Sequence, residues 1–322
     1  MNVQEMVTLL KLRLGDKTNR SLSNTQYVTE MNDSQNALLK LIPRNQLSAL
    51  YTTARIIKAT DADWSSANNY FDLEMLRSDV DKPASRTVDR VVDEGPTREI
   101  VDLISVIGKK TGIGFDAAGE RDYRIVDAKT LFDRRNTLFA GDTTQPLVAM
   151  FWGSLGRGLY FHPNPETSET IDVMYLGAPR DMEYTMTVGA TVNETSSGRY
   201  DIDINTFKRR WPGYYNGMIV YDYTTKSRYR VLDSHYDASH ANTTVMTLST
   251  FGDYTSTNEI ATGHILSVES EFPEYMHDLI VDYTEMQRWG ILKKPDNQQL
   301  VYKRLVDKIN GMGGNLGGDD SK

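Results

Sequence analysis

The apolar positions at the start of the chain recur at helical intervals. Val3, Met6, Val7, Leu10 and Leu14 are spaced by three and four, which predicts a helix over 3–14 closed by Gly15. Tyr27, Val28, Met31, Ala37, Leu38, Leu41 and Ile42 form a looser stripe, predicting a second helix from Thr25 to Leu41 with Asn24 as its cap and Pro43 as its stop. A third helix is expected from Arg44 to Ala54. Short amphipathic helices hold only by packing, and these cannot bury their apolar faces alone.

From Ile56 the pattern changes. IIKAT and NNYFDLEML mark the entry to a new region, and SDVDKPASRTVDRVVDEGPT is polar with weak periodicity, as a loop or edge element is. REIVDLISVIG, YRIVDAKTLFDRRN, PLVAMFWGS, GLYFHPNP and TIDVMYLG then read as short strands, separated by turn chemistry at GIGFDAAGERD and FAGDTTQ. A second run, MTVGATVN, YDIDINTF, GMIVYDYTT, SRYRVLDSHY, TTVMTLSTF and HILSVES, alternates apolar and polar residues, with hairpin turns at NETSSG and TTKS. That alternation fits a small sandwich or barrel. After Pro273, EYMHDLIVDYTEMQRWGIL carries Tyr275, Leu279, Ile280, Tyr283, Met286 and Trp289 on one helical face. Pro295 breaks it, and NQQLVYKRLVDKINGM follows as a second helix with Leu300, Val301, Leu305, Val306 and Ile309.

The order helices, strands, strands, helices predicts an α+β fold, in which N- and C-terminal helices form one bundle carrying one or two inserted antiparallel β domains. The expected divisions are N-terminal helices over 1–55, a β-rich domain over 56–183, an additional sandwich or barrel over 184–270, returning helices over 271–312, and a flexible Gly-rich tail over 313–322.

Composition sharpens this. Only 39% of the 322 residues are hydrophobic, so either the cores are modest or burial is shared between subunits. Tyrosine outnumbers phenylalanine 18 to 9, which suits half-buried sheets and interfaces. The absence of cysteine excludes disulfides, thiol catalysis and thiolate metal sites. A net charge of −8 argues against gripping nucleic acid through its phosphates, though an acidic wall past which DNA slides is compatible with it. No stretch approaches the roughly 18 apolar residues of a membrane-spanning helix, and the first residues lack a signal-peptide layout, so no membrane partner is expected.

Candidate chemistry is sparse. GKKTGIG at 108–114 fails as a phosphate loop, because Leu103 stands where the first glycine belongs and Lys110 where Ser or Thr belongs. GSLGRG at 153–158 has the wrong spacing for a dinucleotide fingerprint and reads as a turn between strands. Glu274 and His277 form one E-x-x-H pair, but a di-iron site needs a second. Asp233, His235, Asp237 and His240 fall in one loop and could hold a cation, or could simply make a turn. Glu166 with Glu169, and Asp201 with Asp203, are possible paired carboxylates or plain solvated residues. KRRWPGYY at 208–215 sets three basic residues beside aromatics that could stack on bases or sugars, or could form a strand edge with arginine stems over Trp211. No catalytic, cofactor-binding or metal-ligating residue is assigned, and no cofactor is expected.

Three segments resemble the head-to-tail adaptor (connector) proteins of tailed phages: VQEMVTLLKLRLGD with the later LLKLIPRNQL, GLYFHPNPETSETIDVMYLGAPRDM, and EFPEYMHDLIVDYTEMQRWGIL with its following helix. The likeness covers the two ends and the middle, and the stretch from Tyr184 to Ser270 departs from it as an added β domain. The resemblance implies a structural virion protein and not an enzyme. It implies a ring homo-oligomer, commonly a dodecamer, seated between the portal protein and downstream neck or tail proteins. Genomic DNA would pass through the channel without specific binding. It implies manufacture in the host cytoplasm and a Gly-rich tail that orders on the portal or a neighbour. The alternative is a tail-associated β protein that binds carbohydrate or a receptor.

Overall fold

The computed structural model describes residues 1–16, 22–57, 64–65, 70–72, 100–110, 119–136, 146–153, 156–166, 169–196, 198–204, 213–237, 243–250 and 260–314. NNYFDLEML in large part, the polar stretch after it, FAGDTTQ, Lys208–Pro212, His240 and the last eight residues lie outside the described residues.

Along the chain the elements are α1 (Val3–Leu14), α2 (Asn24–Leu38), a 3-10 helix (Arg44–Leu50), β1 (Tyr51–Ile57), β2 (Trp64–Ser65), β3 (Tyr70–Asp72), β4 (Ile100–Lys109), β5 (Glu120–Asp122), β6 (Arg124–Ile125), α3 (Ala128–Asn136), β7 (Leu147–Gly153), β8 (Gly156–His162) and β9 (Thr170–Gly177). There follow β10 (Glu183–Ser196), β11 (Arg199–Ile204), β12 (Ile219–Asp222), β13 (Ser227–Asp237), β14 (Thr243–Thr250), β15 (Ile265–Val268), a 3-10 turn (Glu274–Met276), α4 (His277–Ile291) and α5 (Pro295–Gly314). They divide into two compact units, one made of Met1–Leu50 with Ala178–Lys322, the other of Tyr51–Gly177.

The discontinuous unit contains a closed six-stranded barrel in the order β10-β11-β14-β13-β12-β15, every neighbour antiparallel and β15 returning to β10. Alternate residues point inward: Met186 and Val188, Ile202 and Ile204, Tyr229 and Val231, Met246 and Leu248, Leu266 and Val268 make one core. A barrel this narrow is filled by side chains and leaves no lumen. Tyr214, Tyr215 and Met218, from the segment between β11 and β12, join the same core.

Of the helices of this unit, α1 and α2 pack against β10 of the barrel, α4 packs on both of them, and α5 packs along α4. Asn2 and Glu5 form a capping box at the start of α1, and Gly15 ends it at φ 72°, the left-handed conformation that favours glycine. In α2 the cap is Ser23, paired reciprocally with Gln26, where Asn24 was expected. Asn24 instead donates to the Tyr184 hydroxyl. Asn32 accepts from the Met182 amide at 2.9 Å and donates to the Met182 carbonyl at 3.1 Å, so an amide side chain on α2 occupies both backbone groups just ahead of β10.

These contacts overturn the expected architecture of a helical bundle carrying inserted antiparallel β domains. The barrel belongs to the same compact unit as the terminal helices, and α1 and α2 both contact β10. Among the described residues, five α-helices stand against fifteen strands. The physical reason is that α1 and α2 are short and need the barrel wall as well as α4 to cover their apolar sides. The fold is mixed α+β, built on a barrel. Two local expectations also fail. The helix expected over Arg44 to Ala54 gives way at Tyr51 to β1, where two threonines favour an extended backbone. YRIVDAKTLFDRRN becomes β6 followed by α3, because Asp127 caps the helix through the Thr130 amide at 2.9 Å.

The other unit holds two sheets, β1-β9-β4-β5 and β2-β3-β8-β7-β6. The second is not wholly antiparallel: β6 pairs with β7 in parallel, and α3 makes the crossover that such a pair requires. Val106, Tyr123, Val148, Leu159, Phe161, Ile171, Val173 and Tyr175 form the core, with Tyr123 and Phe161 edge to face at 5.3 Å.

Candidate functional site

The terminal helices are joined by charge. Asp282 on α4 is fully buried, with Arg13 of α1 at 2.5 Å, Arg304 of α5 at 2.9 Å and Lys308 of α5 at 2.7 Å. Lys308 meets the Oδ2 atom off the angle of a hydrogen bond, so that contact is chiefly Coulombic. Glu285, one turn on, takes Arg304 at 2.6 Å and the Trp289 indole at 3.2 Å. On the other side of α4, Arg288 reaches Glu30 of α2 at 3.1 Å, and burial raises the pKa of Glu30 despite that cation.

Two surface features of this unit stand out. The first is the tip of the α4–α5 hairpin. Lys293 closes α4 at φ 53°, and Gly290 lets Gln298 approach closely enough that a methyl group there would collide with it at 2.9 Å. This tight connection leaves Ile291 65% exposed and Leu300 70% exposed, with Leu292 partly uncovered between them. Residues 291–303 carry three lysines against one aspartate in a chain of net charge −8. Lys293, Lys294 and Lys303 make no ion pair among the described residues.

The second is a groove between the outer face of α1 and the β12–β13 hairpin, lined by Gln4, Glu5, Leu9, Leu12, Tyr221 and Tyr223 among others. Leu12 is 61% exposed, and the two tyrosine rings meet edge to face at 5.2 Å. Asp222 holds the hairpin turn from inside, its Oδ1 accepting from the Thr224 amide and its Oδ2 from the Thr225 hydroxyl, while His264 Nδ1 lies 2.8 Å from the same Oδ2. Sequence reading passed over this aspartate, because a single carboxylate before two threonines is an ordinary turn signal. Burial raises the Tyr223 hydroxyl pKa to about 12.

Beside the groove, Glu269 is nearly buried. Its Oε1 has no hydrogen-bond partner, and Arg228 lies 3.4 Å from its Oε2. Burial raises its pKa and outweighs Arg228. A carboxyl whose folded pKa is raised is neutral in both states well below pH 4.5; its cost grows as pH rises from the unfolded value to the folded one and is fully present above that. Glu269→Gln exchanges a buried charged acceptor for a neutral one and is therefore expected to stabilise the protein by about 1 kcal/mol at pH 7, the part of the desolvation penalty that belongs to the charge. The gain should vanish as pH falls towards 4, as urea unfolding midpoints across that range would show.

The residues singled out in the sequence do not converge. Glu274 pairs with Arg228 and the first residue's amine, and His277 is enclosed, with its ring nitrogens facing the carbonyls of Met1 at 2.7 Å and Phe272 at 2.9 Å. Burial lowers the His277 pKa against the pull of those carbonyls. Asp233 and His235 approach to 3.4 Å on β13, Asp237 ends that strand, and His240 lies outside the described residues. No grouping of three His, Asp or Glu suited to a metal occurs among the described residues. Glu169 is a fully buried structural carboxylate, accepting from the Tyr123 hydroxyl at 2.8 Å and the Glu166 amide at 3.0 Å, while Glu166 pairs with Lys110. Asp201 accepts from Thr247 across the barrel wall, and Asp203 is largely buried. Tyr214 and Tyr215 of KRRWPGYY are barrel core, and Trp211 lies outside the described residues. Gly108 of the rejected phosphate loop sits in β4, and Gly153 and Gly156 face each other across the β7–β8 connection. Among the described residues no helix is long and apolar enough to cross a membrane.

No protein-family model matches the sequence, and no curated protein matches it.

Proposed function

We propose that this chain is a structural subunit of a tailed-phage particle, one copy in the ring that joins head to tail, bridging the portal and the tail while DNA passes through the channel. The reading rests on the resemblance of the two ends and the middle to connector proteins. The single observation that supports it in the fold is the exposure of large aliphatic side chains at the α4–α5 tip, where Ile291 and Leu300 are each about two-thirds uncovered. Scattered apolar side chains on a surface are ordinary, but several at one end of a helical hairpin mark a surface that another protein covers. A ring covers such a surface with an identical copy, which fits a chain of only 39% hydrophobic residues.

The test is the size of the full chain by sedimentation and electron microscopy, at rising concentration, alone and mixed with a portal ring. Closed rings, or portals decorated by the chain, are expected. A monomer under both conditions overturns the reading.

A further inference from the structure

We infer that Asn310 is a site of spontaneous covalent ageing: its side-chain amide is lost through attack by the backbone nitrogen of Gly311, and the last turn of α5 is lost with it. The inference stands apart from the ring reading and needs no partner.

The chemistry is open to an Asn-Gly pair. The backbone nitrogen of the glycine attacks the asparagine Cγ. The side-chain nitrogen leaves as ammonia, taking the proton of that backbone N–H, and a five-membered imide closes. Water then opens the imide at either carbonyl, leaving aspartate or isoaspartate. Glycine favours the first step because it has no Cβ to obstruct the approach and the widest backbone freedom. The chain holds two such pairs, at Asn216 and at Asn310, and the fold treats them differently.

Asn216 is locked. The Gly217 N–H donates to the Val231 carbonyl at 2.8 Å, so the nucleophile is engaged. Asn216 Oδ1 accepts from the Ser234 hydroxyl at 3.2 Å, and its Nδ2 reaches Asp233 at 3.5 Å. Asn310 has no such restraint. It is exposed, no hydrogen bond among the described residues holds its side chain, and the space beside Gly311 is open. An intact helix keeps the Gly311 nitrogen away from Cγ, so the reaction waits on fraying. Three of the last four residues of α5 are glycines, the poorest helix formers after proline, and no basic side chain in the last turn offsets the helix dipole. The product then opposes refolding of that turn. A carboxylate at 310 stands at the negative end of the dipole, three residues from Asp307, and an isoaspartyl link adds a backbone carbon that breaks the hydrogen-bond ladder. The ion pairs of Asp282 with Arg304 and Lys308 lie further back in α5 and should survive.

The test follows the full chain in mildly alkaline buffer, folded and unfolded in guanidinium chloride. Mass spectrometry of the tryptic peptides 211–226 and 309–322 reads the gain of one dalton, and fragment ions separate Asn310 from Asn315. In the folded chain Asn310 is expected to convert at least tenfold faster than Asn216, and in denaturant the two rates should converge. Gly311→Ala should abolish conversion at 310, since its methyl group meets nothing in the fold. In the aged chain the amide shifts of Gly311, Gly313 and Gly314 should move to unstructured values, while those of Arg304 and Lys308 stay helical. Equal rates in the folded chain, or an unchanged Asn310 over the time in which the unfolded chain converts, would overturn the inference. Conversion with helical shifts kept at those glycines would overturn the loss of the turn.

Discussion

Replacing Asp282 with alanine should destabilise the barrel-containing unit by about 3 kcal/mol, at the low end of what breaking a buried ion pair costs. The side chain is completely buried, and it is the meeting point of Arg13, Arg304 and Lys308 from two other helices. Its removal leaves three cations facing one another, with Glu285 near Arg13 and Arg304 and Asp278 near Lys308 as the remaining carboxylates. The cations keep part of their surface in water, which holds the cost near the low end. Asp282→Asn should be nearly as harmful, since it preserves shape and loses the charge. A double-mutant cycle with Arg304→Met, read by urea unfolding, should give a coupling of about 1–3 kcal/mol between the two positions. Additivity would mean that the helices are joined by apolar packing alone.

The second large effect is expected at Gly108 in the other unit. A Cβ there would lie 1.9 Å from Glu169 Oε1 and 3.0 Å from the ring of Tyr123. Glu169 cannot swing aside cheaply, because it is fully buried and bonded to the Tyr123 hydroxyl and the Glu166 amide. Gly108→Ala must either break those bonds or push β4 away from β9, its partner through Ile171. The expected loss is about 3–5 kcal/mol, combining overpacking with the loss of bonds to a charged acceptor. In a Glu169→Ala background the same change should cost far less, about 1 kcal/mol, because only the edge of the Tyr123 ring at 3.0 Å is left in the way. Equal costs in both backgrounds would show that the glycine is needed for a different reason.

What could be read from the sequence follows from how local each determinant is. The helix over 3–14 and the strands from Met186 onward appear where alternation and spacing place them, because capping residues and a two-residue period act within a few positions. The conversion of the segment after Arg124 into a helix hung on one capping aspartate, a signal hidden within a β-branched stretch. The bundle expectation failed for a longer-range reason. The apolar stripe of α2 does not say whether a helix or a barrel wall will cover it, and Asn32, whose amide engages Met182 150 positions later, carries no periodicity at all. The exposed apolar tip of α4 and α5 was equally hidden. Leu300 is one of the apolar positions of the last helix along with Val301 and Leu305, yet in α5 those two are buried and Leu300 is not.

The circular hydrogen bonding of β10 through β15 has one further implication. An open sheet ends in strands whose amides and carbonyls invite another polypeptide to extend it, and crowded copies of such a protein tend towards uncontrolled fibrous growth. Here each of the six strands already has neighbours on both sides. Any protein that docks on this barrel must therefore read its side chains, which encode geometry and partner identity far more selectively than a bare backbone does.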